Sequence, residues 1–120
     1  MANSILYPIG QADKSCFITG RINNLHKHHI FAGVGYRDIS EREGLWVYLI
    51  AELHNQSNYG VHCKDGHSLD LVLKHLAQKA YMDLGHTKQQ FIDLIGKSYL
   101  LTDAEFKKHM QAVMDNVRLL

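Results

Sequence analysis

Residues 25–31 read LHKHHIF and residues 54–62 read HNQSNYGVH, and the chain between Leu25 and His62 contains five of the nine histidines. A neutral imidazole is a good ligand for Zn²⁺ and other first-row divalent ions, and its free pKa lies nearer to neutral pH than that of any other side chain. This clustering of histidines predicts a metal site, a general base, or both.

A β-hairpin followed by a helix is predicted around these histidines. Residues 25–31 form the first predicted strand, and residues 45–50, LWVYLI, form the second because they are rich in aromatic and β-branched side chains. Residues 51–58 predict a short helix. Between the strands, Ser40 and Glu43 have the spacing of a capping box, which predicts a helical turn there.

The second half of the chain predicts three helices. Apolar residues recur there at i, i+3 and i+4, and the second and third helices carry a Gln or Glu three residues after the capping residue. The predicted N-caps are Ser68, Thr87 and Thr102. We therefore expect one α+β domain over residues 1–120, with an irregular lead-in over 1–13, a hairpin–helix core over about 16–63 and a helical part over about 68–118.

The composition is that of an ordinary globular protein, with 120 residues, 46% hydrophobic and 21% charged. No apolar run approaches the roughly 20 residues of a membrane helix, and the N-terminal sequence does not resemble a secretory signal. Two cysteines are too few for a disulfide framework, so a reduced, cytoplasmic location without membrane association is expected. A net charge of +1 neither indicates nor excludes a nucleic-acid partner.

The spacing of the histidines suggests which of them can meet. His28 and His29 are adjacent and would face opposite sides of a regular strand, so both can serve one site only if the strand ends there. The hairpin brings His28 near the helix that carries His54, and His62 follows Gly60, where the chain can turn back. Three imidazoles would leave coordination positions open, as a catalytic metal site requires.

The third ligand and the phosphate contact have more than one candidate. Asn58 and His67 compete with His62 as the third ligand, and Asn58 could instead hold a metal-bound water. Either Arg37 or Arg42 could hold a phosphate through its planar guanidinium group.

The order of a His-His pair, an apolar strand, a helix with His-Asn and then Gly-Val-His resembles the HNH superfamily of ββα-metal nucleases. It is most similar to small phage-type members akin to the recombination-enhancement nucleases, over roughly residues 16–100. The resemblance implies a ββα-metal core with His29 as general base. Arg37 is the second candidate catalytic residue. It implies one divalent ion (Zn²⁺, Mg²⁺, Mn²⁺ or Ni²⁺), with Asn55 and Asn58 as possible supporting residues. The implied metal ligands are His28, His54 and His62.

The function implied by the resemblance is a metal-dependent endonuclease that hydrolyses phosphodiester bonds in DNA. A protein partner in phage recombination or host defence, a bacterial host cytoplasm and a homodimer through the last helix are further expectations. The alternative is a non-catalytic HNH-fold phage protein that binds and inhibits a host nuclease or defence complex. Two features favour it: the net charge is near zero, and no asparagine between Asn24 and Asn55 matches the middle residue of the HNH name. A metal-stabilised structural module is a third hypothesis.

Overall fold

A two-stranded antiparallel sheet and five helices are found in residues 3–7 and 14–120, the part of the chain described by the computed structural model. The elements are β1 (Leu25–His29), α1 (Tyr36–Glu43), β2 (Trp46–Ile50), α2 (Ala51–His54), α3 (His67–Asp83), α4 (Lys88–Ile95) and α5 (Asp103–Val117). The α+β class predicted from the sequence is therefore confirmed. Of the predicted lead-in, residues 1–2 and 8–13 lie outside the described residues.

The predicted hairpin is present, but its first strand is shorter than expected. Leu25 pairs with Ile50 and His29 pairs with Trp46, so the register places His28 opposite Val47. The strand ends at His29, not at residue 31, because the Ser40 hydroxyl takes over the backbone bonds of Phe31. It accepts from the Phe31 N–H at 3.1 Å and donates to the Phe31 carbonyl at 2.7 Å.

The helix between the strands begins earlier than the capping-box spacing predicts. It follows Gly35, which has a φ of +85° and provides no side-chain cap, and it ends before Gly44 with a φ of +72°. Ser40 lies inside α1 and is fully buried, so the prediction that it caps a helical turn is wrong. Its hydroxyl instead fixes α1 against the end of β1.

The helix after the hairpin is a single turn. The prediction that it reaches residue 58 is wrong, because α2 ends at His54. The N–H groups of Asn55 and Gln56 both donate to the Ala51 carbonyl at 3.0 Å, and the Ser57 hydroxyl donates to the Glu52 carbonyl at 2.7 Å. These bonds satisfy the end of the helix and turn the chain away from the helix axis.

The C-terminal half forms the three expected helices. Thr87 and Thr102 make complete capping boxes, as predicted. Ser68 is not a cap: α3 begins at His67 after Gly66, and the Ser68 hydroxyl instead bonds His109 Nδ1 at 2.8 Å. This bond links α3 to α5.

One hydrophobic cluster joins the hairpin to these helices. Buried members come from β2, α3, α4 and α5, for example Leu49, Leu73, Phe91 and Val113. The hairpin is therefore packed against the C-terminal helices. None of the helices within the described part of the chain combines the length and apolar character needed to cross a membrane.

Candidate metal centre

Three histidines from different parts of the fold converge. His28 is on β1, His54 is the last residue of α2, and His62 lies in the loop before α3. Each offers one ring nitrogen, and these three nitrogens lie within 4.8 Å of one another. The ring centroids are 5.5 Å apart for His28 and His54, 5.1 Å for His28 and His62, and 4.8 Å for His54 and His62.

Backbone hydrogen bonds and two glycines bring His62 back to the helix. The Val61 N–H donates to the Leu53 carbonyl at 2.7 Å, and the His62 N–H donates to the His54 carbonyl at 3.2 Å. A Cβ at Gly60 would lie 2.8 Å from the His54 carbonyl oxygen, and a Cβ at Gly66 would overlap the Gly60 carbonyl. The loop closes only because both positions lack a side chain, so the turn expected near Gly60 is confirmed.

His28 is buried, and one of its ring nitrogens lacks a hydrogen-bond partner among the described residues. Its side chain is 2% exposed, and its Nε2 has no hydrogen-bond partner within residues 3–7 and 14–120. Burial, followed by the charges of His62 and His54, lowers the pKa of His28 to about 3, so the ring is neutral near pH 7. A buried nitrogen without a partner costs free energy. A divalent cation held jointly with His54 and His62 would satisfy it, so the residues fit a metal.

The second ligand is oriented by another histidine that the sequence analysis did not select. Nδ1 of His54 lies 3.0 Å from Nδ1 of His26. This contact leaves Nε2 as the ring nitrogen of His54 that is available to bind a metal. Burial, then His62 and His26, lowers the pKa of His54 to about 4. Outer hydrogen bonds of this kind set the tautomer and direction of metal-binding imidazoles. The signal in the sequence was the two-residue spacing, since His26 and His28 share one face of β1.

His29 occupies the other face of β1 and has a carboxylate partner. Its Nε2 lies 2.9 Å from Oε2 of Glu41, whose other oxygen accepts from the Lys27 ammonium at 2.8 Å. These two hydrogen bonds, Lys27 first, lower the pKa of Glu41, which is therefore ionised near pH 7. An ionised carboxylate only accepts, so Nε2 of His29 carries the proton and Nδ1 is the nitrogen that can take one.

Sequence reasoning also missed Glu41. A helical spacing of four residues puts Glu41 on the same face of α1 as Arg37, and this spacing was the available signal. The neighbouring Ser40 fixes the position of that face through its two bonds to Phe31.

A cleft of about 690 Å³ is lined by residues from both faces of β1 near its end. It contains most of the predicted site residues, namely His28, His29, Arg37, His54, Asn55 and His62. The sequence allows both adjacent histidines to serve one site only if the strand ends there; β1 does end at His29, and both residues line this cleft.

Other predicted candidates lie elsewhere. Asn58 is outside α2, and its carbonyl accepts from the Asp65 N–H at 2.7 Å. His67 begins α3 and is not among the three converging histidines. Arg42 lies 3.4 Å from the Glu43 carboxylate on the exposed side of α1. Of the two arginines considered for phosphate binding, Arg37 is the one that lines the cleft.

Comparison with models of known families, with curated proteins and with solved structures finds no match. The chemistry of the cleft is therefore the basis for a function.

Proposed function

We propose that this chain is a metal-dependent nuclease that hydrolyses phosphodiester bonds in DNA. One observation carries the proposal. Three converging imidazoles share a cleft with a fourth imidazole, His29, that is held by a carboxylate, and Nε2 of the buried His28 has no hydrogen-bond partner among the described residues. A structural metal site needs the first three groups but has no use for the fourth.

The proposed metal ligands are His28, His54 and His62, which together supply three nitrogen donors. Nitrogen ligation favours borderline ions such as Zn²⁺ and Ni²⁺ over Mg²⁺, which prefers oxygen. Three protein ligands leave further positions for solvent and substrate, as in catalytic sites. When bound, the divalent ion supplies Lewis-acid stabilisation of the negative charge that develops on phosphate oxygens.

His29 is the proposed general base. Its Nδ1 accepts a proton from a water molecule, the water oxygen forms a bond to phosphorus, and the bond from phosphorus to the 3′ oxygen breaks. The leaving oxygen takes its proton from solvent. Glu41, 2.9 Å from Nε2, holds the ring tautomer and stabilises the imidazolium that forms. General-base catalysis by a histidine commonly contributes about 10²–10⁴-fold.

Arg37 is the proposed phosphate ligand. It lines the cleft beside His29, and it makes no ion pair with any residue in the described ranges. Its planar guanidinium group matches two phosphate oxygens. The choice of DNA as substrate is supported by this cation and by the resemblance of the histidine motif to the HNH superfamily.

The test is cleavage of supercoiled plasmid DNA with Mg²⁺, Mn²⁺, Ni²⁺ or Zn²⁺ in separate reactions. We expect His29→Ala to lower the rate by about 10²–10⁴-fold while leaving metal binding intact. His54→Ala should remove both cleavage and bound metal in elemental analysis. The matched control is His67→Ala, which removes an exposed imidazole outside the cleft and should leave both unchanged.

Equal cleavage by wild type and His29→Ala would overturn the proposal. Metal binding with no cleavage in all four reactions would also overturn it. That second outcome would favour the non-catalytic binding protein, for which a stoichiometric partner recovered from host lysate would be the next evidence.

A further inference from the structure

A second cavity adjoins the cleft that contains the histidines. It has a volume of about 310 Å³, and Ala32 lines both cavities. Tyr36 and Arg37, consecutive residues at the start of α1, line one cavity each. A chain-like ligand whose phosphate lies near Arg37 can therefore continue past residue 32 into the second cavity. We call this second space the tyrosine cavity, after Tyr36 and Tyr99.

The two aromatic side chains of the tyrosine cavity contact the core and the end of α4. The Tyr99 ring packs against buried Phe31 with centroids 5.5 Å apart, and the Tyr99 N–H donates to Gln78 Oε1 at 2.6 Å. Tyr36 is 39% exposed, and its hydroxyl would lie 3.5 Å from a Cβ at Gly96, so its side chain reaches the end of α4. These two phenol rings provide flat apolar surface at the edge of the protein.

Two ammonium groups lie at the same cavity. Lys97 Nζ is 4.8 Å and Lys74 Nζ is 5.3 Å from the centroid of the Tyr99 ring. Lys74 is paired with Asp70 at 2.9 Å, whereas Lys97 forms no ion pair with residues 3–7 or 14–120. Because the charge of Lys74 is already met by Asp70, Lys97 is the cation that favours an anion placed beside the ring.

A ligand that combines a flat ring with an anion matches this lining, and a nucleotide has both parts. The volume is at the lower end of that of small-ligand pockets, the size for one such unit. In a duplex, both faces of a base are covered by its neighbours. An aromatic side chain can stack only on a base that has left the stack, as in single strands.

We propose that the tyrosine cavity binds one unstacked nucleotide of single-stranded DNA that continues from the metal cleft. Tyr36 and Tyr99 contact the base, and Lys97 contacts the adjoining phosphate. This inference rests on the proposed nuclease function and narrows its substrate to DNA with a single-stranded segment.

The experiment measures binding without cleavage. Fluorescence anisotropy of a labelled ten-nucleotide dT strand is recorded with the whole protein in EDTA, beside a duplex of the same length. Tyr36→Leu should weaken single-strand binding about fivefold or more, since stacking on one ring contributes that much or more. Tyr36→Phe keeps the ring and should bind like wild type.

The lysine variants test the phosphate contact. Lys97→Gln should weaken binding and reduce the slope of log K against log salt by about 0.7, the value for one phosphate contact on a single strand. Lys88→Gln is the matched control, because it removes the same charge from the exposed opposite end of α4. Tyr99→Leu is less informative because that ring packs on the core.

Tyr36 and Lys97 are exposed, so their variants test the proposal even if Tyr99→Leu fails to fold. Equal effects of Lys97→Gln and Lys88→Gln, or equal affinities of Tyr36→Leu and wild type, would overturn the cavity assignment. Duplex binding as tight as single-strand binding would do the same. Because binding is measured in EDTA, a plasmid that stays uncut removes the nuclease proposal separately from these results.

Discussion

Two buried histidines, one in the hairpin and one in the helical half, differ in what they bond. His75 on α3 is 8% exposed, and its Nδ1 accepts from the Leu101 N–H at 2.9 Å. His28 on β1 is 2% exposed, and its Nε2 lacks a partner among the described residues. At similar burial, the chain therefore supplies a hydrogen bond to the ring of His75, whereas no described residue supplies one to Nε2 of His28.

The surroundings of these two residues differ in the same way. The ring of His75 packs on Phe106 of α5, so both its bonding and its packing are supplied by the chain. His28 instead faces two further imidazoles. Each neutral ring carries one N–H and one acceptor nitrogen, and no described residue bonds Nε2 of His28. A polar group that the fold buries without a partner thus indicates a ligand site more strongly than histidine content alone.

The largest expected effect comes from the loop that carries the third ligand. In Gly66→Ala the new methyl group would overlap the Gly60 carbonyl, so the loop must move. We expect the free energy of unfolding to fall by about 3 kcal/mol or more, with loss of metal binding. Urea unfolding in EDTA, followed by Zn²⁺ titration, measures both.

Gly85→Ala provides the comparison from the helical half. Gly85 also has a special backbone, with a φ of +104°, but a Cβ there meets nothing within 4 Å. Only the left-handed conformation is penalised, which costs about 1–2 kcal/mol, and Zn²⁺ binding should be unchanged. If the two variants lost the same stability and both bound Zn²⁺, close packing of the loop would not be what positions His62.

The next effect is a difference in sign between identical substitutions at the two buried histidines. In EDTA, His28→Leu should stabilise the protein by about 1 kcal/mol, because an apolar group replaces a buried nitrogen that no described residue bonds. His75→Leu should destabilise it by about 1–3 kcal/mol, because the Leu101 N–H loses its acceptor. Chemical denaturation of both variants measures the contrast.

Zinc should reverse the sign of the His28→Leu effect relative to wild type and leave the His75→Leu effect unchanged. An ion at 100 times its dissociation constant stabilises the folded state by about 2.7 kcal/mol. Wild type and His75→Leu should gain this stability, and His28→Leu should not. A gain by His28→Leu equal to that of wild type would show that His28 is not a ligand.

A smaller effect is expected at the histidine behind His54. His26→Leu removes the group 3.0 Å from Nδ1 of His54, so that ring loses its fixed tautomer. Loss of such outer partners commonly weakens metal binding about 10–100-fold. Competition of the protein with a coloured chelator for Zn²⁺ measures the change. His26→Gln, which keeps a hydrogen-bonding group, should recover part of the affinity, whereas equal affinity of His26→Leu and wild type would assign the contact to packing alone.

The sequence predicted the features of the fold that depend on neighbouring residues. The capping boxes at Thr87 and Thr102 are local hydrogen bonds over three residues, and both are present. Ser40 and Ser68 carry similar signals, but their hydroxyls bond Phe31 and His109, which lie 9 and 41 residues away. A pattern over four residues does not reveal such long-range partners.

The candidate site divides along the same line. His28, His54 and His62 were grouped from the spacing of the motifs, and the structure brings them together. Glu41 and His26 were missed because their roles depend on how α1 and α2 pack on β1, although helix and strand periodicity offered a weak signal for each. The helix end at His54 was missed for a similar reason, since its closing bonds come from residues that the sequence placed inside the helix.

The smallest expected effect is the pH dependence that His75 gives to stability. Burial, and then the charge of Lys79, lower the pKa of His75 below its ordinary value of 6.5, against an opposing effect of Asp103. The folded state therefore binds the proton more weakly than the unfolded state. The contribution of His75 to stability is fully present above about pH 6.5 and is lost as the pH falls through the folded pKa.

His75→Asn keeps an acceptor for the Leu101 N–H at every pH and removes the titrating group. Subtracting its unfolding free energy from that of wild type in EDTA cancels the titration of His28 and His54, which both proteins retain. The wild-type advantage should shrink steadily from pH 7 to pH 5, and a difference that stays constant over that range would mean that the His75 acceptor bond does not depend on a neutral ring.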